Sequence, residues 1–96
     1  IDHVSVAVRD LAASAAFYQQ VLDPLGLKQL VARDTTIGFG KTYPEFWLNA
    51  RPGIGPIPDD TGNHVCLRAP DRVAVDKFYE IAVATGGRGD GAPRER

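Results

Sequence analysis

Cysteine is nearly absent from this chain. Cys66 stands alone, so no internal disulfide can staple the fold, and a single thiol fits a reducing compartment. The cytosol is therefore the expected location. An excess of either charge is missing too. Eleven Lys and Arg against twelve Asp and Glu leave a formal net charge of −1, which gives no field to attract nucleic acid or anionic lipid. No apolar run approaches the ~18 residues of a membrane span. The opening Ile1-Asp2-His3-Val4 has no initiator methionine and lacks the basic-then-apolar pattern of a secretion signal. What is present is ordinary for a globular domain: 96 residues, 44% hydrophobic and 24% charged. A chain of this size hides only about 60–65% of its unfolded surface, so one small α/β domain of modest stability is expected.

The most informative feature is internal. Residues 2–26 lie over residues 63–87 without a gap, at an offset of 61. His3 falls on His64, Val4 on Val65, Asp10 on Asp71, Ala13 on Ala74, Phe17 on Phe78, Tyr18 on Tyr79 and Gly26 on Gly87. These are seven identities in 25 positions, where average residue usage gives roughly one or two. Self-similarity at a fixed offset marks a structural unit used twice.

Each copy reads as a strand followed by a helix. Val4, Val6 and Val8 alternate with His3, Ser5 and Ala7, and Val65, Leu67 and Ala69 alternate with His64, Cys66 and Arg68. Period two places one set on apolar cover and the other, with the histidines, on the opposite face. Asp10 and Asp71 are positioned as N-caps. Leu11, Ala15, Tyr18 and Leu22 form one helical stripe, and Val75, Phe78, Ala82 and Thr85 a second, less clean one. Pro24 ends the first helix by Asp23, and Gly26 and Gly86-Gly87 suit the reversals that follow. Between the copies, residues 27–33, 35–40 and 45–50 read as three short strands, the last of them the aromatic Glu45-Phe46-Trp47-Leu48-Asn49-Ala50. Residues 51–62 hold three prolines and three glycines and read as a linker.

The repeat exposes a gap. Adding 61 to residues 27–50 puts the second copy's later strands near 88–111, whereas the sequence stops at Arg96 in a Gly-Arg-Gly-Asp-Gly-Ala-Pro stretch. The expectation is a natural protein that continues for some tens of residues. An open sheet edge near 63–69 then invites pairing with another chain, and a homodimer is expected.

Together, Asp2-His3-Val4 opening a strand, Asp10-Leu11 with Ser14 and Phe17-Tyr18 on a helix, Leu22 and Gly26-Leu27, and then Asn63-His64-Val65 with Phe78-Tyr79, resemble the glyoxalase/bleomycin-resistance/extradiol-dioxygenase (vicinal oxygen chelate) superfamily. The resemblance implies an α+β fold of paired β-α-β-β-β modules forming a curled open sheet around a cavity, with the second module incomplete. Module one would span 1–50, the linker 51–62 and module two 63–96, all within one domain. It implies that His3 and His64 face the cavity and bind a divalent ion (Zn, Ni, Mn or Fe), which neutral imidazole suits and which can act as a Lewis acid on neighbouring substrate oxygens. Family lyases carry a Glu on the last strand of the first module. The matching position here is Trp47, with Glu45 and Asn49 expected on the same face.

Two functions from different classes follow. One is a metal-dependent lyase or isomerase of the lactoylglutathione-lyase kind, or a ring-opening dioxygenase. The other is a metal-free protein that binds or sequesters a small molecule such as an antibiotic. The substrate-pocket candidates are Trp47, Asn49, Glu45 and Arg68. Each also has a plain structural reading: Trp47 as strand core, Glu45 as a solvated strand start, Arg68 at an outer edge. The same holds for Cys66 as inert packing, for both Phe-Tyr pairs as helix packing, and for Arg88, Arg94 and Arg96 as a solvated loop.

Overall fold

The computed structural model describes residues 1–58, 60–89 and 91–94, and the elements run β1 (Val4–Val8), α1 (Leu11–Leu22), β2 (Lys28–Ala32), β3 (Thr36–Gly40), β4 (Pro44–Ala50) and α2 (Arg72–Ala84). Arg96 therefore lies outside the described residues. The fold is α+β. Its sheet is four-stranded, open and mixed, in the order β1-β4-β3-β2. β1 runs parallel to β4, with Val4 opposite Phe46 and Val8 opposite Ala50. The other two pairings are antiparallel. The three strands expected between the copies are all present, with boundaries within two residues of those read from alternation.

Capping fixes where the helices start. The Asp10 carboxylate accepts from the Ala13 amide at 3.0 Å, and Asp71 accepts from Ala74 at 2.8 Å, so both copies satisfy a first-turn N–H in the same way. α1 ends in a single 3-10 turn at Asp23–Leu25, where Pro24 cannot continue the helix. Gly26 closes that turn at φ 81°, donating to the Asp23 carbonyl at 2.9 Å. A left-handed residue here sends the chain straight back into β2. α2 ends at Thr85, whose amide and hydroxyl both bond the Ile81 carbonyl.

The core lies between α1 and one face of the sheet. Phe39, Phe46 and Leu48 from β3 and β4 meet Ala15, Val21 and Leu22 from α1, joined by Leu25, Leu27 and Ala74. Phe39, Leu22, Leu48 and Val21 are fully buried, and each such side chain contributes about 1.5–3 kcal/mol. No polar or charged side chain among the described residues is buried.

The second copy departs from expectation in two ways. Residues 63–69 do not form a strand. A strand is defined by its hydrogen-bonded neighbour, and among the described residues no segment pairs with 63–69 as β4 pairs with β1. The segment nevertheless keeps its alternation: Leu67 and Ala69 are half-buried against the core, while Cys66 and Arg68 are exposed. The helical stripe is also rotated. Ala74 is buried and Phe78 and Ile81 are partly buried, whereas Val75 is 41% exposed. α2 packs on α1 and the 3-10 turn, so its inward face is set by a helical neighbour and not by a sheet of its own. The second module is thus incomplete, a capped helix behind an extended, unpaired segment. No helix among the described residues is long and apolar enough to cross a membrane.

Candidate functional site

The extended segment 63–69 faces the edge strand β1 without hydrogen-bonding to it, and the space between them is a cleft. One part has a volume of about 670 Å³. Its apolar lining includes Val4 and Val6 of β1, Tyr18 of α1, Phe46 of β4, and Leu67 and Phe78 of the second copy, while Ser5, Asn63 and His64 supply polar groups. A second part of about 350 Å³ shares Val4, Phe46, Val65 and Leu67 with the first and adds Leu27. Lys41, Glu45, Cys66 and Arg68 are its polar groups. The two parts adjoin across a shared apolar wall of Val4, Phe46, Val65 and Leu67, with neutral polar groups in the first and charged groups in the second.

Tyr18 is held in the wall by its ring contacts: edge-on to Phe17 with centroids 5.2 Å apart, and tilted against Phe46 at 5.0 Å. Burial pushes its phenol above the ordinary tyrosine value, because the ionised form loses hydration. Near the start of β1, the Tyr43 phenol is also raised, first by its hydrogen bond to Asp2 and then by the Asp2 and Glu45 charges.

The sequence-predicted residues divide between the cleft and the surface outside it. His64 lines the neutral end of the cleft, and Arg68 and Glu45 the charged end. His3 is exposed, sits just ahead of the first β1–β4 pair, and is not in the cleft lining. Trp47 and Asn49 pair with Ser5 and Ala7 on the sheet face opposite the core and are likewise outside that lining. Glu45 does not share their face as alternation suggests. The β3–β4 register skips it, from Phe39↔Phe46 to Gly40↔Pro44. A bulge of this kind turns the extra residue aside, here toward the cleft beside Phe46. Trp47 instead lies across Gly38. A Cβ built on Gly38 would stand 3.0 Å from Cε3 and Cζ3 of the indole and from the Pro44 Cβ.

Sequence reasoning missed Ser5, Lys41 and Asn63. It assigned Tyr18 and Phe78 to helix packing alone, although their recurrence in the repeat was the available signal. Among the described residues, no three His, Cys, Asp or Glu side chains are grouped to hold a metal ion.

The sequence matches the Glyoxalase/Bleomycin resistance protein/Dioxygenase superfamily over residues 1–96. No curated protein matches it. Among solved structures, it is similar to a glyoxalase/bleomycin resistance protein from Albidiferax ferrireducens T118, at 26% identity and a TM-score of 0.81, covering 97% of this chain and 75% of that one. It also shares its fold with a bleomycin resistance determinant encoded on the transposon Tn5, at 21% identity and TM-score 0.56, with 97% and 72% of the two chains covered. A bleomycin-binding protein solved with bleomycin aligns at 23% identity and TM-score 0.50, covering 94% and 70%.

Proposed function

Because the chain belongs to the glyoxalase/bleomycin-resistance/dioxygenase superfamily, we propose that it binds a small, largely apolar molecule non-covalently in the cleft between β1 and residues 63–68, the activity of a sequestering or antibiotic-binding protein. The observation that carries this reading is the cleft itself. About 670 Å³ walled by aliphatic and aromatic side chains, with a few polar groups converging from Ser5, Asn63 and His64, matches the size and chemistry of small-molecule sites. The aromatic rings of Tyr18, Phe46 and Phe78 supply contact area, and the polar groups fix orientation. The test is a ligand panel, bleomycin included, read by thermal shift and calorimetry on the full chain. Saturable binding that Phe78→Ala weakens at least about fivefold supports the reading. No stabilisation by any member of a broad apolar panel refutes it.

A second reading, the metal-dependent lyase or ring-opening dioxygenase, is favoured by one observation: His3 and His64 occupy the same position in the two copies. Two imidazoles fall short of the three protein ligands that a catalytic ion usually has, and the described residues supply no group of three. This reading therefore needs a carboxylate from elsewhere. Elemental analysis and titration with Zn, Ni, Mn and Fe separate the two. Stoichiometric uptake, lost in His3→Ala and His64→Ala, would establish the metal site on which the enzyme reading depends.

A homodimer and a cytosolic location complete the proposal. The open edge of β1 and the unpaired 63–69 segment support the first, and the lone Cys66 supports the second. Light scattering that gives a clean monomer at micromolar concentration would count against the dimer.

A further inference from the structure

We propose that the charged end of the cleft makes it selective for amphipathic carboxylates, molecules with an apolar body and one anionic head. The inference rests on the small-molecule reading above and names its ligand class. Four side chains at that end carry polar groups, and three are charged: Lys41, Arg68 and Glu45. Two cations against one carboxylate leave an excess of +1 there, in a chain whose formal net charge is −1. Asp2, the other acid nearby, lies outside the lining.

Both cations are available. Among the described residues, the ion pair formed is Lys28 with Asp23, and neither Lys41 nor Arg68 takes part in it. Lys41 is exposed, and its stem passes Gly26, where an added Cβ would stand 3.4 Å from the Lys41 Cε. Arg68 approaches from the opposite wall, in the segment whose alternate residues Val65 and Leu67 form the apolar middle. A ligand whose body lies on Val4, Phe46, Val65 and Leu67 therefore places its head between an ammonium and a guanidinium. The planar guanidinium fork matches a carboxylate, and the apolar floor lowers the local dielectric and strengthens the attraction. Glu45 contributes the opposite term, repelling the anion and setting a ceiling on the preference.

The probes are 4-phenylbutyrate, its neutral amide and the corresponding amine, titrated calorimetrically into the full chain. The carboxylate should bind about tenfold tighter than the amide at about 0.02 M salt, with most of that margin gone near 1 M, where screening acts within about 3 Å. Lys41→Gln with Arg68→Gln should abolish the preference, bringing the carboxylate down to or below the level of the amide in the same variant, because Glu45 then remains as the one charge of the lining. Glu45→Gln should strengthen carboxylate binding severalfold. Circular dichroism checks that these exposed or half-exposed substitutions leave the fold intact. Equal binding of carboxylate and amide, or tighter binding of the amine, overturns the anion preference and leaves the small-molecule reading standing. If none of the three binds, this inference falls, and the broad apolar panel decides separately whether the small-molecule reading stands.

Discussion

Adding one methyl group at Gly38 crowds the sheet face opposite the core. The new Cβ would stand 3.0 Å from two carbons of the Trp47 indole and from the Pro44 Cβ, inside the 3.5–4.0 Å at which carbon atoms attract. Pro44 is a rigid ring at the start of β4, and the Trp47 backbone is paired on both sides, so relief has to come from rotation of the indole. Overpacking of this kind costs about 1–3 kcal/mol. The alanine recovers about 0.4–1 kcal/mol by restricting the unfolded chain, leaving a net loss of about 1 kcal/mol. In a domain of this length that lowers Tm by about 4–8 °C. Trp47 is the only tryptophan in the sequence, so its emission reports the same event directly and should shift as the indole lifts off β3. The control is Gly53→Ala, where the added methyl meets nothing within 4 Å and stability should hold or rise slightly. A Gly38→Ala protein whose Tm and emission maximum both match wild type refutes the reasoning. So would equal losses in the two variants.

Three further outcomes are expected. Asp10→Ala and Asp71→Ala should each lose about 1 kcal/mol in urea unfolding, since each removes the acceptor for a first-turn amide; no loss in either would mean that these caps are decorative. Leu22→Ala empties a fully buried site at a cost of about 2–5 kcal/mol, a large share of the total stability of a 96-residue domain, and should collapse the dispersed amide spectrum by NMR. Tyr18 has a raised folded pKa because it is buried, so its contribution is complete below the unfolded value near 10 and is lost as pH rises through the higher folded value. Stability measured from pH 8 to 12 should therefore decline at the alkaline end, less steeply in Tyr18→Phe, and a pH profile unchanged by that substitution would count against the buried phenol.

Local chemistry made most of the first copy legible. The N-caps, the stop at Pro24, the left-handed Gly26 and the three strands are decided within a few residues of themselves, and each stands where its own neighbours put it. The second copy was legible as a repeat but not as a structure. Val65, Leu67 and Ala69 alternate as a strand would, yet strand formation is a property of two segments, and hydrogen bonding depends on a partner that alternation does not supply. Likewise Val75 and Ala74 are equally plausible inward residues until the identity of the packing neighbour is known. The site suffered for the same reason. Glu45 was assigned to the Trp47 face by counting twos, and one bulge reversed the assignment. Lys41 had no signal at all, because it is an exposed residue of the short turn between β3 and β4, and nothing in its local pattern shows that this turn borders the cleft.

The first residues of the linker are stitched to the end of β1. The Arg51 amide donates to the Val8 carbonyl at 2.7 Å, and the Arg9 guanidinium donates to the carbonyls of Ile54 and Gly55 at 3.2 and 2.6 Å. These bonds hold Arg51, Ile54 and Gly55 of the twelve residues 51–62, which leaves seven positions of the sequence, 56–62, between the last bonded residue and the second copy. For a flexible connector, closure cost grows as (3/2)RT ln n, so shortening from twelve to seven raises the effective concentration of the second copy beside β1 about twofold, equivalent to about 0.5 kcal/mol. Two more prolines in that remainder, Pro56 and Pro58, stiffen it further. The width of the cleft is thus governed partly by a tether, and Arg9, which touches no ligand, is one of the residues that sets its length.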